Sequence, residues 1–246
     1  MNCTIKKYLK IVEGTISDYK PLSRFHYRDC KTGPVSAVYK IIDTHPRREQ
    51  IEPVVGIIVY SMPTCSVQLR NIATKGLFTK LGSANANMQI VNNNIRTIAR
   101  VIIEPRYRAL GLAYELVQKT MPMLNMPYIE ALAVMGRVNP FFEKAGMLKY
   151  EAPQSPRCIQ LAQALSAVGI EQSDLVDIER THNILQNLNE KQKAFIEKQI
   201  AYFLNAYGRR VKTLPDSLKR TEFFISRLSD RPVYYLWRNA DVELKI

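Results

Sequence analysis

Residues 106–113 read RYRALGLA, between the apolar run ARVIIEP and the helical pattern YELVQKTM. A strand that runs into a glycine-containing loop and then a helix presents free backbone N–H groups at the helix N-terminus. Such an arrangement binds phosphate or pyrophosphate without needing a particular side chain. Arg106 and Arg108 add positive potential. The Walker pattern is absent because no Gly-Lys-Ser/Thr follows, and the dinucleotide fingerprint fails for want of further glycines. Taken alone, the loop also reads as a plain helix start with nothing bound.

A second stretch able to do chemistry is FHYRDC. His26 is a candidate general base and Tyr27 a stacking or proton-relay group, with Asp29 beside them; the alternative is a hydrogen-bonded turn. Arg100 lies in an apolar strand, where an arginine is costly unless paired. It reads as a group that positions donor or substrate, or as half of an ion pair with Glu104 or Asp29. Asn71 could bond a base edge or cap local backbone. His26 and Cys30 are four apart and could share a metal with the more distant His45, but no third ligand stands at close spacing, so no metal is expected.

These groups need elements to hold them. Ala37 to Ile42 and Val54 to Tyr60 are β-branched runs bounded by Pro, Gly and charged residues, and read as strands. Ile95 to Ile103 is the clearest strand. Simple alternation puts Ile95, Thr97, Ala99, Val101 and Ile103 on one face, and Arg96, Ile98, Arg100, Ile102 and Glu104 on the other. Leu112, Ala113, Leu116, Val117 and Met121 recur at helical spacing. Tyr128 to Met135 returns as a strand, which implies a parallel right-handed crossover. In NPFFEKAGM, Asn139 suits a cap, Pro140 a first helical position and Gly146 the left-handed residue past the end. From about residue 157 the periodicity is helical, with Gly169 and Gly208 as stops, and RPVYYLWRN forms an aromatic cluster near the end. The expected division is residues 1–156 as an α/β domain and 157–246 as a helical extension packed on it.

Composition restricts the partners. There are 35 Lys+Arg against 22 Asp+Glu, a net charge of +13, and residues 66–110 carry seven basic residues and one acid. Such a surplus attracts polyanions. A polyanion such as nucleic acid is the expected partner, with Arg28, Tyr60, Arg70, Asn71 and Lys75 as candidate contacts. The four cysteines are irregularly spaced, which fits a reducing compartment rather than a disulfide framework. No apolar run reaches the ~18 residues that span a bilayer, and MNCTIKKYLKIV is too polar for a signal peptide. A cytoplasmic location is expected.

The pattern Arg108-x-x-Gly111-x-Ala113 on a strand-to-helix turn resembles the acyl-CoA signature R/Q-x-x-G-x-G/A of the GNAT N-acyltransferase superfamily. NPFFEKAGM resembles the last core motif of that superfamily, at the expected separation. The resemblance implies an α/β fold whose mixed sheet is splayed between its fourth and fifth strands. It also implies acyl-CoA, or another activated acyl donor, as cofactor. Backbone groups of Ala99 to Ile103, among them Val101 and Ile103, would contact its pantetheine. The N–H groups of Arg108 to Ala113 would hold its pyrophosphate. Many members carry a tyrosine in the last motif as general acid; Phe142 stands there in this sequence and cannot donate a proton.

FHYRDCKTGP, VVGIIVYSMP, RN-x-AT, ARVIIEPRYR and RPVYYLW further resemble one branch of the superfamily, that of phage Mu Mom-like DNA-modification proteins and acyltransferase-like domains fused to ABC-type ATPases. The branch implies double-stranded DNA as partner, modification of the N6 amine of its adenines, protection of phage DNA from restriction, and an ABC-type ATPase as a further possible partner. Two other readings stand beside it: an acetyl-CoA-dependent N-acetyltransferase acting on a protein, RNA or small amine, and a non-catalytic module that binds nucleic acid.

Overall fold

The computed structural model describes residues 5–25, 33–46, 53–79, 83–151, 155–171, 173–229 and 232–245. His26, Tyr27, Arg28 and Asp29 lie outside the described residues. Seven strands form one mixed sheet: β1 (Leu9–Glu13), β2 (Val35–Asp43), β3 (Val54–Ser61), β4 (Ile95–Ile103), β5 (Tyr128–Ala133), β6 (Leu148–Tyr150) and β7 (Val233–Arg238). Their order is β1-β2-β3-β4-β5-β7-β6. Among the described residues only β4 and β5 pair in parallel, and the other neighbours are antiparallel.

The parallel pairing is short. It runs from Ile95↔Tyr128 to Ile98↔Ala131 and then stops. Beyond it β4 continues along β3 to Ile103, and β5 continues along β7 to Ala133. The sheet is therefore splayed between its fourth and fifth strands, as the resemblance implies.

A β-bulge marks the point of divergence. Val59 faces Arg100 and Tyr60 faces Ile98, so Ala99 has no partner on β3. The extra residue shifts the phase of the strand. Ile98, Val101 and Ile103 share the face of the main core, whereas Ile102 packs with Val59 on the other. This corrects the simple alternation: Arg100 shares a face with Ile102, but not with Ile98.

The main core packs α4 (Leu112–Met123) and α5 (Phe141–Lys144) against one face of the sheet. Leu116, Val117 and Met121 recur at helical spacing and are almost fully buried, each worth about 1.5–3 kcal/mol of burial. The opposite face carries α1 (Ile16–Ser23), α2 (Gln68–Ala73) and α3 (Ala84–Asn94), through Leu22, Leu69 and Val91.

The chain divides into two units, Met1–Glu151 with Pro232–Ile246, and Ala152–Arg231. The expected boundaries change accordingly. The aromatic run VYYLW is not part of a helical tail: it is β7, inserted between β5 and β6. The helical stretch is thus an insertion between two paired strands, Tyr150 lying opposite Tyr234.

The inserted unit contains α6 (Pro156–Ala167), α7 (Ile178–Gln186), α8 (Glu190–Leu204), α9 (Arg209–Lys212) and α10 (Leu218–Ser229), around Leu161, Ile196, Ile200, Phe203 and Phe224. Among the described residues no helix is long and apolar enough to cross a membrane. Arg220 is buried and bonds both oxygens of Glu197 (2.6 and 2.7 Å) and Asp216 (2.7 Å). Burial raises the Asp216 pKa, but the hydrogen bond from Gln186 and the Arg220 charge outweigh it and hold the group below the usual carboxylate value. A depressed carboxyl stabilises the fold above its unfolded value, about 3.9, and loses that contribution as pH falls through its folded value. Thermal unfolding followed by circular dichroism from about pH 6 to pH 3 should therefore show a smaller acid-side loss for Asp216→Asn than for the wild type. Equal losses would contradict this.

Candidate functional site

The loop that follows β4 is held by the sheet it leaves. Pro105–Tyr107 form a 3₁₀ turn, Arg108 is extended, and Ala109 (φ 65°) and Gly111 (φ 78°) are left-handed. Tyr107 turns inward, almost fully buried, and its hydroxyl donates to Asp43 Oδ2 at the end of β2 (2.7 Å). A tyrosine beside the expected functional loop thus anchors it. Arg108 Nε donates to the Ile103 carbonyl (3.3 Å), and the largely exposed Arg106 pairs with Glu104 (2.6 Å).

Gly111 is the N-cap of α4 and supplies no side-chain cap. Helix geometry leaves the first amides of α4 without intrahelical acceptors. The helix dipole adds partial positive charge at the same place. A Cβ on Gly111 would lie 2.9 Å from Tyr114 Cε1 and 4.0 Å from Lys6 Nζ. Lys6, ion-paired with Glu115 in the first turn of α4, brings a further cation to the loop. Sequence reasoning missed Lys6, for it lies 109 residues from its partner and no motif contains it.

The open edge of β4 leads into this loop. The Glu104 amide donates to Val55 on β3 (2.9 Å). Backbone directions alternate along a strand, so the amides of Ile103 and Val101 face the side that β5 has left. Arg100 is half-buried beside the bulge, with Nη1 donating to the Ala99 carbonyl (2.7 Å). Glu104 pairs with Arg106. Val101 and Ile103 thus lie on the open edge of β4, Arg108 and Gly111 in the loop that follows, and Ala113 in the first turn of α4, with Arg100 beside the bulge.

Two expected nucleic-acid contacts are corrected. Tyr60 has no exposed surface; its ring lies in the main core and its hydroxyl bonds Thr120 Oγ1 (2.7 Å). Burial pushes its pKa well up. Arg70 is 1% exposed and pairs with Glu130. Neither can reach a phosphate or a base. Asn71 is half-buried on α2, its carbonyl accepting from Gly76 (2.7 Å), and Lys75 is exposed just beyond that helix. Of the five candidates, Arg28 lies outside the described residues.

Phe142 is a core residue, its ring centroid 4.2 Å from Phe141 and 5.1 Å from Tyr235. The Tyr235 hydroxyl donates toward the Gly136 carbonyl and Glu143 Oε1, both at 3.1 Å. Burial, then the Glu143 carboxylate, push its pKa up to about 12. Phe142, where the resemblance leads one to expect a tyrosine, has no proton to donate.

No protein-family model matches the chain, and no curated protein sequence does. Two solved structures similar to it are Arabidopsis thaliana NAA60 in complex with acetyl-CoA and the NatC complex bound to Gag peptide and CoA. The first is 9% identical, over 60% of this chain and 92% of that one, with a TM-score of 0.41. The second is 16% identical, over 61% and 89%, with a TM-score of 0.35.

Proposed function

We propose that this chain is an acyl-CoA-dependent N-acyltransferase of the GNAT type, whose acceptor is the N6 amine of adenine in DNA. The observation that carries the donor half is the splay itself: a bulged strand with open backbone groups runs straight into a left-handed loop at the N-terminus of α4. An acyl-CoA fits the residues present. The open amides of Val101 and Ile103 would receive its pantetheine, and the loop around Gly111, with no Cβ in the way, would receive its pyrophosphate. When bound, the thioester supplies an electrophilic acyl carbon. The chain's own contribution is to hold that end still and to neutralise phosphate charge with loop amides and Arg108.

The acceptor half rests on charge and on sequence resemblance. The sheet unit carries 23 Lys+Arg against 13 Asp+Glu, whereas the inserted unit carries 12 against 9. A surplus of this kind draws in a polyanion whatever its sequence. Adenine N6 is a weak nucleophile, so its transfer depends on positioning more than on a strong base. Attack of N6 on the thioester carbon would form an amide, break the C–S bond and release CoA as its thiol, so the group transferred would be acyl, a glycyl group for a product of the glycinamide type, and its role the protection of phage DNA from restriction.

Burial of Tyr60 and Arg70 removes two expected DNA contacts, and this favours a second reading, an acetyl-CoA-dependent acetyltransferase of a protein, RNA or small amine. Two measurements separate the readings. Calorimetric titration with CoA should show one site per chain under either reading, and no binding would sink both. Mass spectrometry of nucleosides from cells expressing the protein should show a heavier deoxyadenosine under the first. CoA binding, no adduct and acetylation of a soluble amine would establish the second.

A further inference from the structure

The sheet has two halves, β1 to β4 and β5 to β7, and four residue pairs of parallel ladder join them. A joint so short sets the width of the cleft beside it, and one carboxylate ties it together. Glu130 lies on β5 opposite Thr97, one pair before the ladder ends. Its Oε1 accepts from Arg70 Nη2 (2.6 Å) and Thr97 Oγ1 (2.7 Å); its Oε2 accepts from Arg70 Nε (2.8 Å) and the Tyr234 hydroxyl (2.8 Å). Arg70 Nη1 donates onward to the carbonyls of Thr64 (2.8 Å) and Cys65 (3.3 Å).

Glu130 and Tyr234 belong to one half of the sheet. Thr97, and the segment from Thr64 to Arg70 that connects β3 to β4, belong to the other. The network thus spans the joint at the place where the strands part. Arg70 and Glu130 are each 1% exposed. Taking both ions out of water is costly, and well-packed apolar residues of similar volume commonly stabilise a core as well or better. Packing alone therefore does not account for the pair. Four charge-assisted bonds to one carboxylate have fixed directions, whereas apolar side chains would let the strands slide.

The geometry points to Arg70 and Glu130 as a positioning pair that fixes where β4 and β5 separate, and with it the shape of the acyl-donor cleft. The inference rests on the donor reading above; its structural half does not. The test compares the full-length wild type with Arg70→Met/Glu130→Met, in which no buried charge is left unpaired. The double variant should fold, melting somewhat lower because the Tyr234 and Thr97 hydroxyls lose their acceptor, and should bind CoA about tenfold more weakly, on the scale of one or two hydrogen bonds to displaced donor-binding groups. In turnover assays the donor KM should rise while the acceptor KM stays. Hydrogen exchange should show lost protection concentrated in residues 95–98 and their partners 128–131.

Wild-type CoA affinity together with unchanged protection at 95–98 in a folded double variant would overturn the inference. If that variant does not fold, Thr97→Val and Tyr234→Phe each remove one bond to Glu130; a roughly two- to fivefold loss of CoA affinity is expected from each, on the scale of one net hydrogen bond, and none from either would overturn it. If the wild type itself does not bind CoA, the donor reading fails, and the exchange comparison still decides whether the pair sets the joint.

Discussion

Gly111→Val is expected to lower CoA affinity by about tenfold or more while leaving the protein folded, each ~1.4 kcal/mol lost from binding being a factor of ten. Gly111 has φ 78°, where an L-residue costs roughly 1–2 kcal/mol and a β-branched one more. The added Cβ would also lie 2.9 Å from Tyr114 Cε1, closer than carbon atoms pack. The chain can relieve the strain by rotating the first turn of α4, which turns the amides of Leu112 and Ala113 away from an incoming phosphate. Gly146 supplies the control. It has φ 91°, but a Cβ there meets nothing within 4 Å. Gly146→Ala should cost stability through backbone strain and leave CoA binding intact. Calorimetric titration of both variants checks the pair, and a Gly111→Val protein with wild-type affinity would refute the loop as a phosphate site.

The second large effect concerns Phe142. Phe142→Ala should destabilise the protein by about 3–5 kcal/mol, because it empties a ring-sized volume between Phe141 and Tyr235 in the main core. Phe142→Leu keeps most of that volume and should cost less. Its turnover per folded molecule should equal the wild type, since a phenylalanine ring has no proton to give. Denaturant titration measures the first effect and single-turnover kinetics the second. A Phe142→Leu protein that is stable yet inactive would show that the ring does more than pack.

Much of the donor cleft could be read before any fold was known. The limits of β4, the loop with its single glycine and the helix that follows are local features. A β-branched run, a proline stop and a left-handed position write themselves into neighbouring residues. The bulge at Ala99 does not. Alanine carries no mark of it, and the phase shift that moves Arg100 away from the face of Ile98 arises from pairing with Val59 and Tyr60, some 40 residues earlier.

Tyr60 and Arg70 failed for a related reason. Each is a polar residue near an expected binding loop, and sequence pattern assigns such residues to the surface. Each has a partner 60 residues away, Thr120 and Glu130, that makes burial tolerable. The strand VYYLW shows the same limit from the apolar side. A run buried on both faces has no alternation to reveal it, and its place between β5 and β6 is decided by open edges on both.

By itself the sequence determined β2 to β5, α4 and α5, the charge surplus and the loop chemistry, because each follows from the conformational preferences and charges of adjacent residues. The tertiary structure alone decided where β4 and β5 part, which cations are buried, and that Lys6 stands beside Gly111. Those facts depend on contacts between distant segments, where the cost of removing a charge from water is met only by a partner that the fold brings to it.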